Sequence, residues 1–369
     1  MPLWYFSDIA REIVYYDRGR DALWGALGLL GLKAGDVILV PAYLCSAVLQ
    51  PIKKRRLRFK FYQIQKDMSA NLKDLAEKIC PETKAILVIH YFGFPQPVSG
   101  INRICRERNL FLIEDCAHVL VSKVDGRHLG SFGDAAVFSF KKTLKFLPGR
   151  GAALLIHSRR PNRTLQGAVN MRRSVSILSE VEGLINNPQS DPRRFRDRQS
   201  VSGAHKNFYQ GIEYFVLQQK ALRFLIDRII RLTDFLRLRP NSRIREEYLD
   251  KMTRLDLTGI VARCRENFIS MLDNIKGCKD LVPVFPSLPP EVCPMGFPVF
   301  VNDRDSMFRK LLRSGLRPFI LWEFLPKEVK RRLFKDADYI CRHILIFPVD
   351  DFINIKNLYD NGAHLRLKP

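Results

Sequence analysis

The feature that most restricts the fold is an alternation of short, charge-free apolar runs with segments whose apolar residues recur at helical spacing. "RDALWGALGLLGLKAGD" (20–36) puts Leu23, Ala26, Leu27 and Leu30 on one helical face, ends at Gly31 and leads into the run "VILVP" (37–41). "AILVIH" (85–90) is a second run, "INRICRERN" (101–109) sets Ile101, Ile104 and Cys105 on one helical face, and "LFLIED" (110–115) is a third run. "DAAVFSF" (134–140) and "AALLIH" (152–157) continue the series. Strands that are apolar throughout, rather than at every second residue, have both faces covered, and intervening helices supply parallel connections. The expected fold is therefore α/β, a mostly parallel sheet flanked by helices.

Such sheets bind ligands just beyond the carboxyl ends of their strands. That rule selects four clusters: Pro41 to Cys45, His90 to Gly93, Asp115 to His118, and Ser139 to Lys145. All four are expected to meet in one cleft.

The remaining sequence divides into two parts. Residues from about 157 to 210 are polar, basic and poor in periodic apolar positions, and the basic amphipathic stretch "IEYFVLQQKALRFLIDRIIRLTDFL" (212–236) follows. A helix packed on its own domain or on a dimer partner is the simpler reading of that stretch; a helix lying on a membrane surface is the sharper one. From 241 onward, helix, strand, helix and strand follow one another. The expected division is a large cofactor-binding domain over 1–156, a divergent basic insertion over 157–240, and a smaller C-terminal α/β domain over 241–369.

The formal net charge of +23 is concentrated in patches such as "KKRRLRFK" (53–60), "SRRPNR" (158–163) and "RRFRDR" (193–198). A solvated face is the favoured reading; the functional readings are anionic small molecules, nucleic acid or an anionic membrane surface. No helix-turn-helix, zinc-finger or aromatic RNA-binding signature accompanies the charge, so nucleic acid is not an expected partner. The eight cysteines are dispersed without a CxxC pair, which reads as reduced thiols rather than a metal site or disulfide framework. The amino terminus has no signal-peptide pattern, and no apolar run free of charges is long enough to span a bilayer, so a cytoplasmic location is expected.

The candidate chemistry lies in the selected clusters. A carboxylate at a strand end such as Asp115 is costly to bury unless it caps a segment or holds a cation, and a pyridinium nitrogen is one such cation. "FSFKKTLKF" (138–146) offers three lysines after another strand, and a partly desolvated lysine amine forms a Schiff base with an aldehyde. "DRGRDAL" (17–23) is a glycine-containing turn into a helix start, where free N–H groups and the helix dipole favour a phosphate; Ser139 adds a hydroxyl donor. Together these parts describe a pyridoxal phosphate site.

At these residues the chain resembles a family. "GRDALWGALGLLGLKAGDVILVPAYLC", "AILVIHYFGFPQ", "LFLIEDCAH", "GSFGDAAVFSF" and "GRGAAL" are similar, in order, to successive blocks of the DegT/StrS sugar aminotransferases, a branch of the fold-type I pyridoxal phosphate enzymes. "RLDLTGIVARCRENF" (254–268) and "CPMGFPVFV" (293–301) extend the resemblance past the insertion. It implies that the backbone of Gly19, Arg20 and Asp21 grips the cofactor phosphate with Ser139 nearby, that Asp115 pairs with the pyridine nitrogen, and that His118 lies beside the cofactor. "FSFKKTL" is similar to the shorter-loop branch, whose pattern puts the cofactor lysine at Lys142; Lys145 is the runner-up and Lys141 replaces an arginine.

Three departures stand out. Gly149-Arg150-Gly151 stands where that branch commonly has Asp-Gly-Gly, so an acidic position is lost, "FPVDD" (347–351) lacks the family's histidine, and Cys45 replaces a ring that stacks on the cofactor, leaving Tyr43 or His90 as substitutes. What the resemblance implies is a homodimeric aminotransferase that uses pyridoxal 5'-phosphate to move an amino group from an amino acid such as glutamate to a nucleotide-linked keto sugar. The rivals are a non-catalytic relative binding a partner or a membrane, and a sugar dehydratase in which histidine replaces the lysine.

Overall fold

The computed structural model describes Phe6 and residues 9–144, 150–157 and 244–350. All of these belong to one compact unit built from both ends of the chain, Met1–Arg163 with Arg237–Pro369. The amphipathic stretch 212–236 and Lys145 lie outside the described residues.

The strands of the large sheet are β1 (Glu12–Tyr16), β2 (Val37–Pro41), β3 (Arg58–Tyr62), β4 (Thr83–Ile89), β5 (Phe111–Cys116), β8 (Ala135–Ser139) and β9 (Ala152–Ile156). A small hairpin, β6 (Lys123–Val124) with β7 (Arg127–His128), lies between β5 and β8 in the chain. The helices of this half are α1 (Gly19–Leu29), α2 (Ser46–Lys54), α3 (Leu72–Glu77), α4 (Val98–Glu107) and the single turn α5 (Phe140–Thr143). The sheet order is β1-β9-β8-β5-β4-β2-β3.

Every residue of β2 and β9 is buried, as a sheet covered on both faces requires. Strands β8, β5, β4, β2 and β3 run parallel. β9 is antiparallel to both β8 and β1, a direction that apolar content does not encode. Two strands escape the apolar-run pattern because they sit at the sheet's edges. In β3, Arg58 and Lys60 are exposed while Phe61 and Tyr62 are buried. Part of the basic patch 53–60 is therefore one side of an edge strand, where charge also discourages pairing with another chain.

After residue 244 come α6 (Glu246–Thr253), α7 (Leu257–Asn274), β10 (Val282–Pro283), β11 (Phe297–Phe300), α8 (Arg304–Arg313), α9 (Lys335–His343) and β12 (Ile344–Phe347). β10, β11 and β12 form an antiparallel sheet of their own. α7 and α8 are capped by Asp256 and Asp303, whose side chains accept the Gly259 and Ser306 N–H groups.

This lobe meets the ligand end of the large sheet at the turn Tyr91–Gly93. The Met295 N–H donates to Phe92 O at 2.9 Å, and Ser122 Oγ receives the Cys293 N–H at 3.0 Å. Gly93 has φ +87°, and a Cβ there would lie 2.4 Å from Cys293 O, so any larger residue would push the two segments apart.

Candidate active site

In the order β8-β5-β4-β2 the carboxyl ends of four parallel strands stand side by side. The residues that follow them touch. The His90 N–H donates to Asp115 O at 3.1 Å, the Phe92 N–H to His118 Nδ1 at 3.3 Å, and the Tyr91 hydroxyl to Tyr43 O. The Tyr43 hydroxyl in turn donates to Leu321 O at 3.0 Å, which brings the C-terminal lobe to the rim. Burial pushes the hydroxyls of Tyr43 and Tyr91 well above the usual range, so both are neutral donors at any physiological pH.

Asp115 stands at the end of β5. Its Oδ1 accepts the Ala117 N–H at 3.0 Å, and Oδ2 receives no hydrogen bond among the described residues. Burial drives its pKa from 3.8 up to about 6, against the lowering effects of the Ala117 N–H, His90 and Lys142. Lys142, half-buried on α5, is thus close enough for its charge to be felt by Asp115. A carboxylate with one oxygen uncommitted and an ammonium beside it suits a group that carries both a ring cation and an electrophilic carbon.

The raised pKa has a measurable consequence. A carboxyl that holds its proton more tightly when folded contributes stability below pH 3.8, and that contribution is lost as pH rises through about 6. Asp115→Asn should therefore make the cofactor-free protein more stable at neutral pH, by up to about 3 kcal/mol, with the gap closing towards pH 4. Urea midpoints of both proteins across that range measure it. A gap that does not change with pH would show that Asp115 titrates as it does in the unfolded chain.

Gly19 opens α1, and Arg18 before it makes no side-chain cap. A Cβ on Gly19 would lie 3.4 Å from the Ser139 Cβ and 3.8 Å from its Oγ, so the helix start and the end of β8 are in contact. The Asp21 and Ala22 N–H groups bond back to Arg18 O at 3.0 and 3.1 Å, and the positive end of the helix dipole at this start lies next to the Ser139 hydroxyl, a setting that favours an anion. The Arg20 guanidinium donates to Gln50 Oε1 at 2.9 Å, and Asp21 is fully buried. Their side chains are thus held on the protein side of the turn. His118, 2% exposed, lies three residues beyond Asp115. Among the expected residues, then, Gly19 lies against Ser139 and Lys142 lies near Asp115. These donors fit a phosphorylated pyridinium aldehyde: helix-start N–H groups for phosphate, carboxylate for ring nitrogen, amine for aldehyde.

Two groups escaped the sequence reading. Glu114 is one residue from Asp115 and therefore on the opposite face of β5. It is fully buried and accepts four hydrogen bonds: His90 Nε2 and Gly130 N–H on Oε2 (3.0 and 2.9 Å), Phe132 and Gly133 N–H on Oε1 (2.7 and 2.6 Å). Burial alone would raise its pKa, but the His90 hydrogen bond and the Gly133 and Gly130 N–H groups outweigh it and hold the carboxyl below its usual range. His90, Glu114 and Cys116 place ligand-type atoms within 4.8 Å of one another. With four donors on it, however, Glu114 has no acceptor site left for a metal ion. His90 is equally committed, since its Nδ1 accepts the Gln96 N–H at 3.1 Å, so neither of its ring nitrogens is free for a metal ion. The second group is Trp322 of the C-terminal lobe, whose indole packs on His118 with centroids 5.2 Å apart.

A cavity of about 1000 Å³, lined in part by Arg11, Arg106, Arg127, His128 and His157, opens at the other end of β5 and β8 and includes none of these site residues. No described helix is long and apolar enough to cross a membrane.

Comparison with known proteins agrees with this arrangement. The chain is 35% identical over 141 residues to dTDP-4-dehydro-2,3,6-trideoxy-D-glucose 4-aminotransferase of Saccharopolyspora spinosa, covering 38% of this chain and 37% of that protein. It is 33% identical over 142 residues to GDP-perosamine synthase of Escherichia coli O157:H7, covering 38% and 39%. The matched segment thus spans well under half the length of these relatives. The fold extends further: the aminotransferase TlmJ of Streptoalloteichus hindustanus superposes with a TM-score of 0.62 over 94% of this chain and 84% of its own, at 21% identity. The large sheet, with its lone antiparallel strand, is that of the fold-type I aminotransferases. Residues 10–166, which carry Gly19, Asp115, His118, Ser139 and Lys142, match the model of the DegT/DnrJ/EryC1/StrS aminotransferase family.

Proposed function

We propose that the protein is a pyridoxal 5'-phosphate-dependent aminotransferase that moves an amino group from an amino-acid donor, glutamate, to a keto sugar carried on a nucleotide. The observation that carries the reading is the Lys142–Asp115 pair at the ends of adjacent parallel strands, beside the uncapped start of α1. Both curated relatives described above are named for the synthesis of nucleotide-linked amino sugars, which supports polysaccharide or glycoconjugate biosynthesis as the setting. A cytoplasmic homodimer completes the proposal; the eight cysteines form no disulfide, in keeping with a reducing compartment.

When bound, pyridoxal 5'-phosphate supplies an electron sink for a carbanion. The chain's own residues do the rest. Lys142 would hold the aldehyde carbon through its amine and would move the proton at the donor carbon as general acid and base. Asp115 keeps a proton on the ring nitrogen. The α1 N–H groups and Ser139 hold the phosphate, and His118 supports the ring from the turn after β5. The acidic position lost at Gly149-Arg150-Gly151 is not one of these groups, and Arg150 itself is exposed.

A spectrum tests the proposal. The purified protein incubated with pyridoxal 5'-phosphate should gain a visible absorption band, lose it on borohydride reduction, and yield one labelled peptide containing Lys142. Glutamate added before reduction should also remove the band. If no band forms at saturating cofactor, the proposal fails.

A further inference from the structure

The proposed site lacks a ring where Cys45 stands, yet the structure brings one from a distant part of the chain. His118 is buried and its Nδ1 accepts the Phe92 N–H, which leaves the proton of the neutral ring on Nε2. The imidazole is packed against Phe92 (centroids 5.7 Å apart, planes at 34°) and against Trp322 (5.2 Å, 22°). Trp322 also meets Tyr43 and Tyr91 edge-on at 4.9 and 5.8 Å. Both of those tyrosines follow strands that end at the cleft.

The backbone at Trp322 shows how firmly this ring is placed. Its φ is +51°, a left-handed conformation that bulky residues rarely adopt. Neighbouring contacts hold it there: Leu321 O receives the Tyr43 hydroxyl at 3.0 Å, and the Cys341 thiol donates to Glu323 O at 3.0 Å and Trp322 O at 3.4 Å. Strain retained at one bulky residue, with contacts on each side that over-determine it, points to a use for its side chain.

We infer that Trp322 is a positioning residue: its indole fixes the His118 ring, so the C-terminal lobe sets the orientation of a histidine in the large domain's cofactor cleft. This inference rests on the proposed function. It would make formation of the cofactor site depend on docking of the lobe, because Trp322 and His118 are 204 positions apart in a chain whose sheet ends at residue 156.

The test uses the full-length protein, cofactor-free, titrated with pyridoxal 5'-phosphate. Trp322→Ala and Trp322→Leu should each weaken uptake about tenfold, the scale of one aromatic contact, while Trp322→Phe restores most of the loss. The pH midpoint of the bound cofactor's absorption should move by about half a unit or more in the Ala and Leu proteins and return in Phe, as expected when a histidine donor loses its orientation. In a His118→Asn background the Trp322→Ala change should have little further effect on either reading, since residues acting through one another are not additive. Wild-type uptake with unchanged affinity and midpoint in both the Ala and Leu proteins overturns the inference and leaves the proposed function standing. So does an equal effect in the His118→Asn background. Failure of the wild-type protein itself to take up cofactor overturns the proposed function, and this inference with it.

Discussion

Lys142→Ala should lower turnover at least about a thousandfold, the range lost when a positioned proton carrier and covalent anchor disappear together. The readout does not require the sugar acceptor. In the donor half-reaction, rapid mixing with glutamate reports how fast the cofactor spectrum changes, and the variant should change over minutes or longer. Borohydride should leave no label on the peptide that contains residue 142. Lys145→Ala is the comparison, because the sequence offers a second amine three residues on; that variant should keep its label and its rate within a few-fold. A reversal of the two results would move the anchor to Lys145. The electrostatics add an independent sign: Lys142 lowers the Asp115 pKa, so removing it should push that carboxyl higher still than about 6. Asp115 would then ionise less completely near neutrality, and added cofactor should bind most weakly at the acid end of the range. A primary amine such as methylamine should restore part of the rate, since the missing group is a base at a position where a small molecule fits.

How much of this was legible in the sequence depends on where each residue sits. β2, β4, β5 and β9 announced themselves because a strand buried on both faces loses its polar alternation. β1 and β3 did not, because an edge strand keeps polar residues and reads as an ordinary charged segment. Gly19, Asp115 and Ser139 were accessible to reasoning since each is fixed by its position at an element's end, which is a local property, whereas Lys142 was singled out among three lysines only by the family resemblance. Trp322 was not, because its role depends on contacts with residues more than 200 positions away, and no pattern around "PFILWEF" encodes them. Glu114 was hidden by its neighbour. In "LIEDC" the two acids look like one charged step, but strand parity sends Asp115 to the cleft and Glu114 into the protein.

That parity makes Glu114 the residue whose loss should most damage the fold. Glu114→Gln keeps the size but replaces one acceptor oxygen by an NH2 group, which then faces N–H donors it cannot accept. Four donors converge on the carboxylate: the His90 ring and the N–H groups of Gly130, Phe132 and Gly133. Leaving buried donors of this kind unpaired costs about 3 to 5 kcal/mol, enough to lower the melting temperature by roughly 10 °C in a unit of this size. Two accounts of that cost are separable. If the His90–Glu114 contact carried it, His90→Phe would cost nearly as much, and the double variant would be no worse than either single one. The geometry favours the other account, in which the carboxylate chiefly ties the 130–133 loop to β5 through three backbone donors. The coupling between the two positions should then be only about 1 kcal/mol, well below the cost of Glu114→Gln alone. Urea unfolding of the two single variants and the double variant at pH 7 supplies the cycle. A coupling as large as the whole loss would identify the His90–Glu114 hydrogen bond, rather than the loop tether, as what keeps the end of β5 in place and Asp115 aimed into the cleft.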